Sequence, residues 1–85
     1  MVRIVLPSVL QAEVDGQRVF DIEAQTLGDA LRALPVSDLL LDEQGELRAW
    51  LNVYVDGTNA RDSGGHQCPL LGVSEVRILA HIAGG

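Results

Sequence analysis

Thr26-Leu27-Gly28-Asp29-Ala30-Leu31-Arg32-Ala33-Leu34-Pro35 is the stretch that decides the fold. Leu27, Ala30, Leu31 and Leu34 recur at i, i+3, i+4 and i+7, which places them on one apolar helical face. Thr26 is the natural cap for the first turn, with Asp29 as a weak capping-box partner three residues on. Proline disfavours helical backbone in the residue before it, so the helix stops short of Pro35 after roughly eight or nine residues. A helix that short is not stable alone in water. It must lie on a sheet, and the flanking sequence supplies one.

Upstream, residues 2–7 (Val2-Arg3-Ile4-Val5-Leu6-Pro7) read as a β-branched strand, with Val2, Ile4 and Leu6 on one face. Asp15-Gly16 is a turn signal. It leads into a second strand over 18–24, with Phe20 and Ile22 directed at the core. Downstream, 36–41 is apolar and reads as a short helical turn plugging the core edge, followed by a solvated acidic loop over 42–46. The third strand covers 50–55, with Leu51, Val53 and Val55 inward and Trp50, Asn52 and Tyr54 outward. Asp56-Gly57 is a strong hairpin signal, after which 58–61 pairs back as a short fourth strand. A Gly-rich loop covers 62–72, with Leu70 and Leu71 expected to tuck under the sheet. The last strand, 75–80, directs Val76, Ile78 and Ala80 inward and Arg77, Leu79 and His81 outward.

Two early strands, a crossing helix and three later strands form an α+β arrangement. A right-handed crossover sets the last strand beside the first and makes the sheet mixed. The expectation is a β-grasp (ubiquitin-like) fold, a mixed four- to five-stranded sheet with one main helix. Residues 1–80 form the domain and 81–85 a flexible C-terminal Gly-Gly tail. At 85 residues the chain is one domain, and its 47% hydrophobic content suffices for a simple core.

The formal net charge is −6, with six arginines and no lysine. Such acidity is unsuited to nucleic acid or an anionic membrane surface and favours a protein partner with a basic face. No apolar run approaches the roughly 20 residues of a membrane span. Met1-Val2-Arg3-Ile4 leads straight into strand sequence without a signal peptide. A cytoplasmic protein is expected. Cys68 is the only cysteine, so no internal disulfide forms. His66, Cys68 and His81 are too few and too scattered for a metal site, and a Cys-His pair within one loop lacks an orienting third group. Gly64-Gly65 is not followed by the Lys of a phosphate loop. No catalytic set, metal site or bound cofactor is expected.

The other end of the chain reads differently. A strand that gives way to His81-Ile82-Ala83-Gly84-Gly85 places two residues without Cβ where they can thread a narrow tunnel. Five residues reach at most about 17 Å. A terminal carboxylate, with a reference pKa of about 3.5, is ionised and a poor electrophile at neutral pH. It needs activation. Acyl-adenylation supplies this and lets a sulfur nucleophile convert the carboxylate to a thiocarboxylate.

Four pieces carry a resemblance that covers essentially the whole chain: Thr26-Leu27-Gly28-Asp29-Ala30-Leu31, Asn52-Val53-Tyr54-Val55-Asp56-Gly57, Arg61 with Ser63-Gly64-Gly65, and Ala83-Gly84-Gly85. The chain resembles the sulfur-carrier family of the molybdopterin synthase small subunit, the thiamine-pathway carrier and the actinobacterial cysteine-synthesis carrier. The hairpin with Arg61, together with the length, looks nearest the cysteine-synthesis type. Gly72-Val73-Ser74 departs from the Gly-Asp turn common in the family. The resemblance implies a cosubstrate rather than an enzyme. An E1-like adenylating and sulfurtransferase partner, using ATP, activates Gly85, with Ala83 and Gly84 as the approach. A sulfur-accepting biosynthetic enzyme then consumes the thiocarboxylate. Val5, Tyr54 and Leu79 point outward by alternation and, with His81 at the exit, are the expected partner-docking residues. A ubiquitin-like modifier joined through Gly85 to lysines of other proteins is the alternative, and an inert binding module the third reading. Which product receives the sulfur (cysteine, molybdopterin, thiamine or a secondary metabolite) stays open.

Overall fold

The structure, a computed structural model, describes residues 1–80. The tail expected over 81–85 lies outside the described residues.

Strand β1 (Val2–Val5) buries Val2 and Ile4, and Leu6 follows them inward. Pro7 then ends the strand. A 3-10 helix, Ser8–Val14, comes next, in a stretch whose sequence has no helical or strand period. It drops Leu10 and Val14, four residues apart, into the core. Asp15 (φ 52°) and Gly16 (φ 85°) turn the chain into β2 (Val19–Ile22), antiparallel to β1. Phe20 and Ile22 are half-buried and pack on the core, as the alternation required.

Helix α1 (Leu27–Arg32) starts where Thr26 Oγ1 accepts the Asp29 N–H at 3.2 Å. It is shorter than the expected span. The Ala33 and Leu34 N–H groups donate to carbonyls three residues back, so the last turn tightens before Pro35. Leu27, Ala30, Leu31 and Leu34 are all buried. Helix α2 (Ser37–Leu40) is the expected plug, with Val36, Leu40 and Leu41 inside.

Strand β3 (Leu51–Val55) alternates as expected, burying Leu51, Val53 and Val55. Asp56 (φ 48°) and Gly57 (φ 87°) form its hairpin turn. Both central residues have positive φ, the geometry whose twist matches the flanking strands. The returning strand β4 (Thr58–Asn59) is shorter than 58–61, because the Asn59 side chain accepts the Arg61 N–H and caps a 3-10 turn, Ala60–Ser63. A second such turn spans Gly65–Gln67. Leu70 is buried, but Leu71 is 98% exposed, which corrects the expectation that both tuck under the sheet. The Val73 N–H donates to the Leu70 carbonyl and Gly72 adopts φ 79°, so Leu71 is a turn corner directed at solvent.

Strand β5 (Glu75–Ala80) completes a five-stranded sheet of order β2-β1-β5-β3-β4. β1 and β5 are parallel at the centre and the other neighbours antiparallel. This is the mixed β-grasp sheet, with α1 on one face. The buried set is apolar throughout, and no buried side-chain polar atom among the described residues lacks a partner. No helix of the described residues is long and apolar enough to cross a membrane.

Candidate functional site

The central strand β5 delivers the chain to the expected tail. Its inward residues, Val76 and Ile78, are fully buried beneath α1, so its outward residues are held on a rigid support. Strand register fixes what stands beside them. Arg77 lies level with Val5 of β1 and Tyr54 of β3, and Val5 is in turn level with Val19 of β2. Leu79 is level with Asn52. Three of the four expected docking residues therefore share one face, with Val5 and Tyr54 on either side of Arg77 and Leu79 one alternation further along. The fourth, His81, lies outside the described residues, as do Ala83, Gly84 and Gly85.

Leu79 and Val19 are each 45% exposed, while Val5 and Tyr54 are half-buried. Where β5 ends, a groove of about 350 Å³ opens between the sheet and the 3-10 helix. Pro7, Ser8, Val9, Arg18, Leu79 and Ala80 line it. Arg18 Nε donates to the Leu6 carbonyl at 3.2 Å, which holds the side chain along the groove wall. The far end of the face is charged. Arg3 stands across from Asp21 at 3.7 Å, and Glu75 accepts from Arg77 Nε at 3.2 Å. Sequence reading missed Val9 and Arg18 as neighbours of the exit. Val9 sits in a stretch with no periodicity, and Arg18 is brought there by its pairing with Leu6 at the end of the β1–β2 ladder.

The residues weighed for metal or thiol chemistry sit elsewhere. Cys68 is buried, and loss of water pushes its thiol above the ordinary value of 9.0. Burial penalises the thiolate, which is the reactive form. His66 lines a separate depression of about 430 Å³ with Arg61, Gly64, Gly65 and Gln67. No group of three His, Cys, Asp or Glu among the described residues is placed to hold a metal ion. Arg61, which the sequence offered only as part of a motif, is a structural staple. Its guanidinium donates to the Leu51 carbonyl at 2.6 Å and the Arg48 carbonyl at 2.9 Å, tying the loop before β3 to the turn after β4.

No protein-family model matches the chain. The chain is 30% identical over 91 residues to the sulfur carrier protein CysO of Mycobacterium tuberculosis, covering 99% of this chain and 98% of that protein. The crystal structure of M. tuberculosis CysO superposes with a TM-score of 0.83 at 26% identity, over 96% of this chain and 100% of that one. A chain of the Amycolatopsis orientalis BexX/CysO complex gives 0.85 at 25% identity over 100% of both. SAMP1 of Haloferax volcanii, a small archaeal modifier protein by name, gives 0.71 at 26% identity over 99% of this chain and 98% of that one.

Proposed function

The chain belongs to the ubiquitin-like sulfur-carrier family of CysO, and we propose that it carries its sulfur on the carboxyl group of Gly85. It is a sulfur carrier of the cysteine-synthesis type. The end-to-end match at 30% identity, on a fold that superposes over its whole length, carries that reading. For Gly85 the support is positional. β5 is buried on one side as far as Ile78 and runs at the centre of the sheet, and the Gly-Gly sequence follows its last residue, Ala80, by only a few positions.

The proposed chemistry runs as two displacements at one carbon. A partner of the E1-like adenylating class joins the Gly85 carboxylate to AMP from ATP, releasing pyrophosphate. A sulfide-level nucleophile (hydrosulfide) then attacks the acyl carbon, the bond to the AMP oxygen breaks so that AMP leaves with its electron pair, the sulfur loses its proton to water, and the thiocarboxylate remains. A sulfur-accepting enzyme takes the sulfur and returns the carboxylate. This chain contributes presentation: a small apolar surface around Leu79, Val5 and Tyr54 for docking, and an unhindered acyl group. It is a cosubstrate, and the nucleotide is held by the partner. The A. orientalis relative was solved in complex with BexX, which supports a protein partner here as well.

The test is intact-mass analysis after incubation with an E1-like enzyme, ATP and a sulfur source. The expected product is heavier than the free chain by the difference between sulfur and oxygen, and a chain lacking Gly85 should stay unchanged. Full sulfur delivery by that truncated chain would overturn the proposal. The likeness to SAMP1 favours a second reading, conjugation to lysines of other proteins; its signature is Gly85-dependent high-mass conjugates in cell extract.

A further inference from the structure

The two edges of the sheet are unlike. On one side β4 (Thr58–Asn59) is brief and the chain turns at once into a 3-10 helix, which blunts that edge. On the other side β2 is a full strand, and among the described residues β1 is the only element packed along its length. The β1–β2 ladder fixes which backbone groups are left over. The Leu6 N–H donates to the Arg18 carbonyl at 2.7 Å, and antiparallel pairs alternate between bonded and non-bonded. Phe20 and Ile22 therefore bond to Ile4 and Val2, whereas Val19 and Asp21 turn their N–H and C=O groups away from β1. Arg3, level with Asp21, accordingly sends its own N–H the other way, to the Ser74 carbonyl. The Val19 carbonyl accepts from Gln17 Nε2 at 3.3 Å. The Val19 N–H and both backbone groups of Asp21 have no protein partner among the described residues.

Side chains decide what could pair there. Alternation sets Phe20, Ile22 and Ala24 half-buried against the core and Val19, Asp21 and Glu23 on the outer face. The inner row leaves apolar side chains partly wet at the open margin of the core. It continues into an apolar groove of about 340 Å³ lined by Ala24, Gln25 and Leu71. The outer row carries two carboxylates. Asp21 faces Arg3 at 3.7 Å, and Glu23 has no ionic partner among the described residues. A strand laid on β2 directs alternate side chains over these two rows. It matches them when it is apolar toward Phe20, Ile22 and Ala24 and cationic toward Asp21 and Glu23. A second copy of this chain fits poorly. Antiparallel overlap of 19–23 with itself sets Asp21 opposite Asp21, and like charges directly opposite are destabilising.

We propose that the free edge of β2 is a docking site for an extended segment of another protein in which apolar and basic residues alternate. The segment adds to the sheet as one more strand: its main chain bonds to Val19 and Asp21, and its side chains supply the selectivity. β1 lies between this edge and β5, so the segment binds beside the Leu79 face and independently of the chemistry at Gly85. The probe is a synthetic peptide alternating valine and lysine over the length of β2, titrated at low salt into the isotope-labelled full chain and followed by NMR. The Val19 and Asp21 amides should shift, and at saturation their hydrogen exchange should slow by about tenfold or more. Phe20, already bonded to Ile4, should keep its exchange rate. Methylating alternate amide nitrogens of the peptide should abolish binding in the phase that faces β2 and spare it in the other. Asp21→Asn combined with Glu23→Gln should weaken binding about fivefold, and a peptide with glutamate in place of lysine should not bind. Absence of binding, indifference to both methylation phases, equal binding of the glutamate peptide, or protection at other amides instead overturns the proposal. Protection of Val19 and Asp21 that grows with protein concentration and needs no peptide also overturns it, by giving the edge to a second copy.

Discussion

Asp56 shows how much one residue can do in so small a chain. Its backbone takes the left-handed conformation that turns β3 into β4, which Asp tolerates better than most residues. Its carboxylate reaches across to the start of β5, accepting the Ser74 N–H at 3.1 Å and the Glu75 N–H at 2.9 Å, and its own N–H donates to the Glu75 carbonyl. The hairpin turn and the entry of the central strand are thus locked together. Asp56→Ala should cost about 2–3 kcal/mol, from two charge-assisted bonds and an unfavourable φ. Asp56→Asn, which keeps an acceptor and tolerates φ > 0, should cost about 1 kcal/mol. Urea unfolding midpoints measure both, and equal losses for the two variants would disprove the account. The sequence made the turn legible through Asp56-Gly57 but not the capping of β5, because the partners lie 18 and 19 residues away. The same limit hid the role of Arg61. Leu71 misled because a run of two leucines does not say which one occupies a turn corner.

Elements with a clear period were readable, and the connections between them were not. The strands alternate and α1 repeats its leucines, so both appeared with boundaries off by a residue or two. Ser8–Val14 mixes polar and apolar residues without a period, and its 3-10 helix is set by what Leu10 and Val14 can reach in the core. The seating of α1 is a further case. Its N-terminus is stitched to the loop over 66–70: the Leu27 N–H donates to the Cys68 carbonyl and the Leu70 N–H to the Gln25 carbonyl. Gly28 follows directly after, where an added Cβ would stand 3.0 Å from the His66 carbonyl oxygen and 3.4 Å from its Cβ. Backbone yields less readily than a side-chain tip. Gly28→Ala therefore sets a gain of about 1 kcal/mol in helix propensity against an overpacking cost of about 1–3 kcal/mol. The net should be a Tm lower by a few degrees, with a larger drop for Gly28→Val. A rise in Tm for the alanine variant would show that the helix is not seated so closely.

Across the whole molecule, β5 gives the carrier a polarity that exposure alone does not reveal. Of the exposed leucines, two flank this strand at its opposite ends. Leu71, 98% exposed, lies by the start of β5 with Met1 and Ala24, and Leu79, 45% exposed, adjoins Ala80 at the other end. Ranked by apolar area offered to solvent, Leu71 would be the better anchor for a partner. Reach reverses the ranking. A protein that receives Gly85, the acyl site proposed above, must lie within about 17 Å of Ala80, which favours the proposed docking face of Leu79, Val5 and Tyr54 over the end of the strand where Leu71 stands. The topology that builds this face was legible, since alternation along three strands and a right-handed crossover align those residues. Its border was not, because Val9 lies in an unpatterned segment and Arg18 arrives through pairing across β1. Leu79→Asp should raise the KM for adenylation about tenfold or more, as charge placed in an interface centre does, and leave Tm nearly unchanged because the side chain is already wet. Leu71→Asp should leave both values within about twofold of the natural chain, as a surface change outside the contact. Steady-state adenylation kinetics on the two variants side by side decide the matter: if Leu71→Asp proves the more damaging, the partner grips the opposite end of the strand and the docking face is misassigned.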